Sequence, residues 1–134
     1  MNKIIKIIKI ILFLTLTDSF AVGSVVASEK IKIGLLVPLT GKNNDIGQSI
    51  VNSTRIAINK INNLSIQIIP KDTASNPEVT LRSAKELANL GVEIIIGPVF
   101  NENLVYLDEL KEITFLSLTN KNDNFSKNII NGGI

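Results

Sequence analysis

The chain has 134 residues, 45% of them hydrophobic, enough for one domain with a buried core. It contains neither Cys nor His, which excludes disulfides, thiol nucleophiles, Ser-His-Asp catalysis and ordinary zinc sites, since each needs a thiolate or an imidazole. Carboxylates, Lys, Tyr and hydroxyls are what remains for catalysis, so the sequence reads as non-enzymatic, with no catalytic residue, metal or cofactor assigned.

Residues 1–27 form a separate unit. Lys3, Lys6 and Lys9 precede an apolar stretch from Ile10 to Leu16, and small residues lead to Val25-Val26-Ala27, with Ser19-Phe20-Ala21 as a second exit. A positive start, a short apolar stretch and a small-residue exit describe a secretory signal peptide; an uncleaved anchor is the alternative. The stretch is shorter than the roughly 20 residues needed to span a bilayer, and Asp18 closes it. Cleavage after Ala27 removes three Lys and one Asp from totals of 14 basic and 12 acidic residues, leaving 11 of each. The mature part, residues 28–134, is therefore near neutral. It lacks a basic patch interleaved with aromatics, so nucleic acid is not an expected partner. Without Cys there is no lipid-attachment site, and the product is expected to be exported and not a lipoprotein. The richness in Ile, Asn and Lys fits an AT-rich genome, and the sequons Asn52-Ser53-Thr54 and Asn63-Leu64-Ser65 are read as chance.

Apolar runs then alternate with helical patterns, which predicts βαβ units and a parallel sheet. "IKIGLLV" (31–37) is a first strand, stopped by Pro38. A helix follows, with Ile46, Ile50, Ser53, Ala57 and Ile61 at spacings of three and four and Val51, Thr54 and Ile58 beside them. Asp45 is placed to cap it, with Gln48 completing a capping box. "LSIQIIPKD" (64–72) alternates apolar and polar residues, which predicts a sheet edge. Asn76-Pro77-Glu78 opens the next helix with a cap, a proline at the first position and an acid at the positive end of the dipole. Its packing stripe is Val79, Ser83, Ala84, Leu87 and Ala88, and Gly91 ends it.

"VEIII" (92–96) is a third strand, and its continuous apolar run predicts a central position buried on both faces. Asn101 is placed to cap a third helix through Leu104, Val105, Leu107 and Leu110. "TFLSL" (114–118) is the fourth strand. The fold class is α/β: a doubly wound parallel sheet, βαβαβαβ, with right-handed crossovers and the order 2-1-3-4. Ile129 and Ile130 are placed to begin a further strand, and the abrupt finish reads as part of a longer frame.

In open parallel sheets ligands bind beyond the carboxyl ends of the strands. Those ends are Pro38-Leu39-Thr40-Gly41, Asp72-Thr73-Ala74, Gly97-Pro98-Val99-Phe100-Asn101 and Thr119-Asn120. "PLTGKNNDIGQS" meets neither the dinucleotide fingerprint nor the P-loop pattern. A response regulator would need an acidic pair after the first strand and an Asp after the third, and neither is present. Asp72 reads as a turn or cap residue, Glu102 as an acid favouring a helix dipole, and Tyr106 as packing. Hydrogen-bonding groups and an aromatic remain: Thr40, Asn101, Thr119 and Asn120, with Phe100 as an apolar wall. That set suits reversible binding of a small polar solute, and ordinary caps and turns are the alternative reading.

In "IKIGLLVPLTG", "IGQSIVNSTRIAINKIN", "KDTASNPEVTLRSAKELANLGVEIIIGPVF" and "FLSLTN" the sequence resembles the amino-terminal lobe of type 1 periplasmic binding proteins, the leucine-binding-protein-like superfamily. The resemblance covers nearly all of residues 30–121. It implies two α/β lobes closing on a ligand, a periplasmic location, and a role beside the membrane permease of an ABC-type uptake system for amino acids or similar solutes. In amino-acid-binding members the loops after strands three and four hold the ligand. By position Asn101 falls in the first set and Thr119 in the second; Thr40, Phe100, Ser117 and Asn120 complete the candidate ligand-binding residues. The sequence departs from the pattern in three ways: no serine follows "GPVF", the first loop lacks Trp or Tyr, and the second lobe is absent. "LVPLTG…IGQS", "PKDT", "IIIGPVF" and "SLTN" are equally similar to penicillin-binding-protein activators, whose partner is a peptidoglycan synthase.

Overall fold

The computed structural model describes residues 30–121 and 126–133, so the signal-peptide expectation falls outside the described residues. Strand β1 (Ile31–Val37) leads to helix α1 (Asn44–Ile61), strand β2 (Ile66–Asp72), helix α2 (Pro77–Asn89) and strand β3 (Ile94–Ile96). Two 3₁₀ turns, Asn101–Leu104 and Leu107–Glu109, precede β4 (Thr114–Ser117) and β5 (Ile129–Asn131). The sheet is parallel throughout, in the order β2-β1-β3-β4-β5. The expected order 2-1-3-4 is present, and the pair Ile129-Ile130 extends it by a fifth strand against β4.

Period-two alternation sends successive side chains of β1 to opposite faces. Leu36 joins Ala84, Leu87, Val92, Ile95, Leu104, Leu107, Ile113 and Phe115 in one apolar core under α2 and the 3₁₀ turns. Leu35 and Val37, also fully buried, face the other way. At Pro38 the chain turns back beneath α1, where a Cβ on Gly47 would lie 1.9 Å from the Pro38 carbonyl oxygen. Only glycine permits that approach.

Helix α2 forms as its sequence dictates. The Asn76 side chain accepts from the Val79 N–H at 3.0 Å, Pro77 occupies the first turn, and Gly91 at φ 78° follows the last residues. Its buried face adds Thr80 to the expected Ser83, Ala84 and Leu87.

Elsewhere the structure corrects the expectations. Asn43, not Asp45, is the N-cap residue of α1, with no side-chain cap bond; Asp45 lies inside the first turn and no capping box forms. Of the α1 stripe, Ile46 and Ile61 are exposed, and it is Gly47 with Val51, Thr54 and Ile58 that turns inward. Strand β2 begins at Ile66, two residues late, because Leu64 is 89% exposed and Asn63 takes the turn: its side chain accepts from the Ser65 N–H at 2.9 Å. Strand β3 is three residues long and buried on one face only: Ile95 enters the core while Ile94 is 40% exposed. Continuous hydrophobicity there reflects a face that α1 leaves partly open.

The third helix is instead a pair of 3₁₀ turns, and Phe100, not Asn101, is the N-cap residue of the first. Leu104, Leu107 and Leu110 recur every third position, the period of a 3₁₀ helix with about three residues per turn. Leu104 and Leu107 are buried, whereas Val105 is 61% exposed.

Candidate functional site

The exits of β3 and β4 are joined through their backbones. The Gly97 N–H donates to the Leu116 carbonyl at 2.8 Å, and the Leu118 N–H donates to the Pro98 carbonyl at 3.0 Å. Gly97 sits at φ 108°, where a Cβ would lie 2.2 Å from the Leu36 carbonyl oxygen, so the chain can leave the sheet here only as glycine. The Gly97-Pro98 peptide is cis. The two exits then diverge and enclose a cavity of about 330 Å³, open to solvent.

Phe100, Asn101, Thr119 and Asn120 line that cavity together with Val99, Glu102, Leu118 and Lys121. Four of the six expected site residues therefore meet at one place. Thr119 is buried and Asn120 exposed, so the amide of Asn120 is the more available of the two. The Thr119 hydroxyl oxygen accepts from the Lys121 N–H at 3.3 Å, which shapes the turn.

Ser117 stands elsewhere. It is fully buried at the end of β4, and its hydroxyl oxygen accepts from the Thr119 N–H at 3.2 Å. Its carbonyl accepts from the Gly132 N–H at 2.9 Å. Ser117 thus supports the turn that carries Thr119 and Asn120 and does not line the cavity; strand alternation turned its side chain inward.

Thr40 does not line the cavity either. It is exposed at the exit of β1, bound to Asp72 at the exit of β2. The Asp72 carboxylate accepts from the Leu39 N–H at 2.7 Å, the Thr40 N–H at 3.3 Å, the Thr40 hydroxyl at 2.6 Å and the Ala74 N–H at 2.8 Å. Partial burial pushes the Asp72 carboxyl up, but hydrogen bonds from the Thr40 hydroxyl and from the Ala74, Leu39 and Thr40 backbones outweigh it and hold the group below its usual range. The turn role read from the sequence is right, and it extends across two loops.

Sequence reading did not assign Val99, Glu102, Leu118 or Lys121 to the site, although Val99 lay in the β3 exit and Glu102 was read as an acid favouring a helix dipole. The first and third are apolar residues beside strand ends, and charge at the other two positions carries no motif. Other grooves lie away from the strand exits. One runs between α1 and β2, lined by Val51, Arg55, Ile58, Asn59, Ile68 and Pro70. A larger one, about 500 Å³, includes Lys111, Thr114 and Lys127 at the amino ends of β4 and β5, the wrong edge for a ligand cleft in this topology. Among the described residues no group of three His, Cys, Asp or Glu could hold a metal, and no helix is long and apolar enough to cross a membrane.

The cavity offers an aromatic ring, two amides, the Lys121 ammonium and the Glu102 carboxylate. The family profile of periplasmic binding proteins matches residues 30–130. Among solved structures, the C-terminal domain of LpoA from Haemophilus influenzae, a regulator of PBP1A, superposes with a TM-score of 0.65 at 22% identity, over 77% of this chain and 32% of that one. A solute-binding protein of an ABC transporter from Rhodopseudomonas palustris, in complex with 3,4-dihydroxybenzoic acid, gives 0.61 at 29% identity over 66% and 26%. A leucine-binding protein from Thermotoga maritima gives 0.59 at 19% identity over 65% and 27%. The chain spans less than a third of the length of these relatives. No curated protein matches it. The match over residues 30–130, carried on the sheet described above, makes this chain a member of the periplasmic binding protein family.

Proposed function

We propose that this chain is the amino-terminal lobe of a periplasmic solute-binding protein, serving the membrane permease of an ABC-type uptake system. Residues 1–27 act as its signal peptide and residues 28–134 as the lobe. The observation that carries the reading is the meeting of Phe100, Asn101, Thr119 and Asn120 around one open cavity at the carboxyl ends of β3 and β4. A ring and two amides hold a small polar solute by stacking and hydrogen bonds without chemistry. The solute is amino-acid-like or a small aromatic acid; Lys121 suits a carboxylate, Glu102 a donor group and Phe100 an apolar body.

A binding protein gains stability from its ligand as RT ln(1 + [L]/Kd), about 2.7 kcal/mol at a hundredfold excess. Thermal unfolding of the full-length protein with leucine and with 4-hydroxybenzoate tests this. A rise in Tm that grows with ligand concentration is expected, and an unchanged Tm at millimolar concentrations of each counts against solute binding.

A second reading is favoured by the hydroxyls at the end of β4 and just beyond it. Ser117 is buried off the cavity, Thr119 is buried at its edge, and no serine follows Phe100, so the hydroxyl grip of amino-acid-binding members is weakened. A lobe so altered suits contact with a protein, as in a penicillin-binding-protein activator. Co-purification of a penicillin-binding protein with the full-length chain supports this reading; its absence under crosslinking removes it.

A further inference from the structure

We propose that the sheet face carrying α1 forms a trough for one amphipathic helix of a partner protein, walled by a flank of α1 and floored by β3, β4 and β5. The surface lies apart from the strand exits, so the inference goes beyond solute binding and stands or falls separately from it.

The trough follows from the direction of the chain. The step from β1 to β2 runs one way across the sheet, and the progression from β2 through β3 and β4 to β5 runs the other way. Right-handed crossovers place the connections of opposite steps on opposite faces. Helix α2 and the 3₁₀ turns therefore share the face that holds the core, and among the described residues α1 alone serves the other.

Strand register identifies the floor. Ile94 pairs with Thr114, Ile96 with Leu116 and Leu116 with Ile130, so these side chains share one face, opposite the buried Ile95 and Phe115. Ile94 and Ile130 are exposed, and Ile96 and Leu116 half-buried. Parallel strands are ordinarily covered on both faces.

The wall is an α1 stripe at packing spacing that the structure leaves outside the core. Ile46, Ile50, Ser53, Ala57 and Ile61 share one flank at about 100° per residue, with Ile50 half-buried and the others exposed. Val51, Arg55, Ile58 and Asn59 take the flank along β2. The stripe therefore looks the other way, over β3.

Dimensions and charge select the occupant. From β3 to β5 is two inter-strand spacings, about 10 Å, and a helix with its side chains is about 10 Å across. The floor is one helix wide, and α1 standing beside it keeps a flat surface from reaching it. A helix seated there meets floor and wall together, so it needs a broad apolar face. Through Thr114 the floor continues into the groove lined by Lys111 and Lys127, with one carboxylate, Asp108. Neither lysine is ion-paired among the described residues. The helix end over this groove is its negative, C-terminal end, carrying acidic residues.

Fluorescence anisotropy of the full-length chain with two designed peptides of about 15 residues tests this. Both carry leucines at helical spacing along one broad face; one ends in glutamates and the other in lysines. The glutamate-ended peptide should bind in the micromolar range, and the lysine-ended one about threefold more weakly, the scale of a charge at a helix end. Lys111→Glu combined with Lys127→Glu should reverse that order. Ile61→Gln, on the wall, should weaken binding about tenfold, the scale of one buried isoleucine. Ile56→Gln, on the outer side of α1, should leave it unchanged. Ile61 and Ile56 are 59% and 69% exposed, so both variants keep the fold. No binding of either peptide at millimolar concentration, equal losses in the two isoleucine variants, or indifference to peptide charge overturns the inference. So does sedimentation of the chain alone as a dimer that Ile61→Gln disperses, since a second copy then fills the trough.

Discussion

Gly47 and Pro38 are in contact through backbone: a Cβ on Gly47 would sit 1.9 Å from the Pro38 carbonyl oxygen. This contact seats the first turn of α1 on the exit of β1 and so fixes where the Thr40 loop begins. A carbonyl cannot rotate away as a flexible side chain can. Gly47→Ala should cost about 1–3 kcal/mol, the range for inserted atoms that force backbone shifts. Ser49→Ala, exposed on the same helix, should stay within about 0.5 kcal/mol. Urea midpoints of the two variants provide the comparison.

Asp72 makes stability depend on acid. Its carboxyl lies below the ordinary value because four hydrogen bonds favour the charged form over the cost of burial. A depressed folded-state pKa adds stability above the unfolded-state value, and that stability is lost as pH falls through the folded-state value. The wild type should therefore lose stability below about pH 4, where unfolded Asp begins to hold its proton. Asp72→Asn should be less stable at neutral pH and show a flatter acid limb. Denaturation midpoints between pH 7 and pH 3 measure both effects.

Asn103 is buried among the leucines of the 3₁₀ turns, and neither its Nδ2 nor its Oδ1 has a hydrogen-bond partner among the described residues. Leaving such groups unpaired costs about 1–3 kcal/mol. Asn103→Leu, of similar size, should raise the unfolding midpoint. A fall would mean that the amide is satisfied in solution, by water or by another part of the protein.

Ser117 and Asn120 separate support from contact. Ser117→Ala removes the acceptor of the buried Thr119 N–H, so both stability and ligand affinity should drop. Asn120 is exposed and lines the cavity, so Asn120→Ala should lower affinity with stability within about 0.5 kcal/mol of the wild type. Paired calorimetry and urea denaturation distinguish these patterns.

The architecture was largely legible because strand and cap signals act locally. β1 ran to Val37 and stopped at Pro38 as expected, and Asn76-Pro77-Glu78 opened α2. The alternation of β2 marked a true sheet edge. What failed depended on the competition between local signals and tertiary contacts. Asp45 had a good cap sequence, yet the helix begins at Asn44, two residues earlier than a cap at Asp45 implies, after Asn43 ties to Ser75. Leu104, Leu107 and Leu110 fit both helical periods loosely, and the threefold one prevailed. At the site, the loop positions fixed four cavity residues, since the strand ends of a parallel sheet gather along one edge. Ser117 was misjudged because its hydroxyl faces inward. The Asp72–Thr40 tie lies 32 residues apart in sequence, beyond the reach of any local pattern.

Amide chemical-shift mapping with saturating leucine or 4-hydroxybenzoate tests the central claim most directly. The account predicts that perturbations concentrate at Phe100, Asn101, Asn120 and Lys121, around the cavity between the β3 and β4 exits. Perturbations confined to the groove between α1 and β2, or none with either compound at saturation, would contradict it.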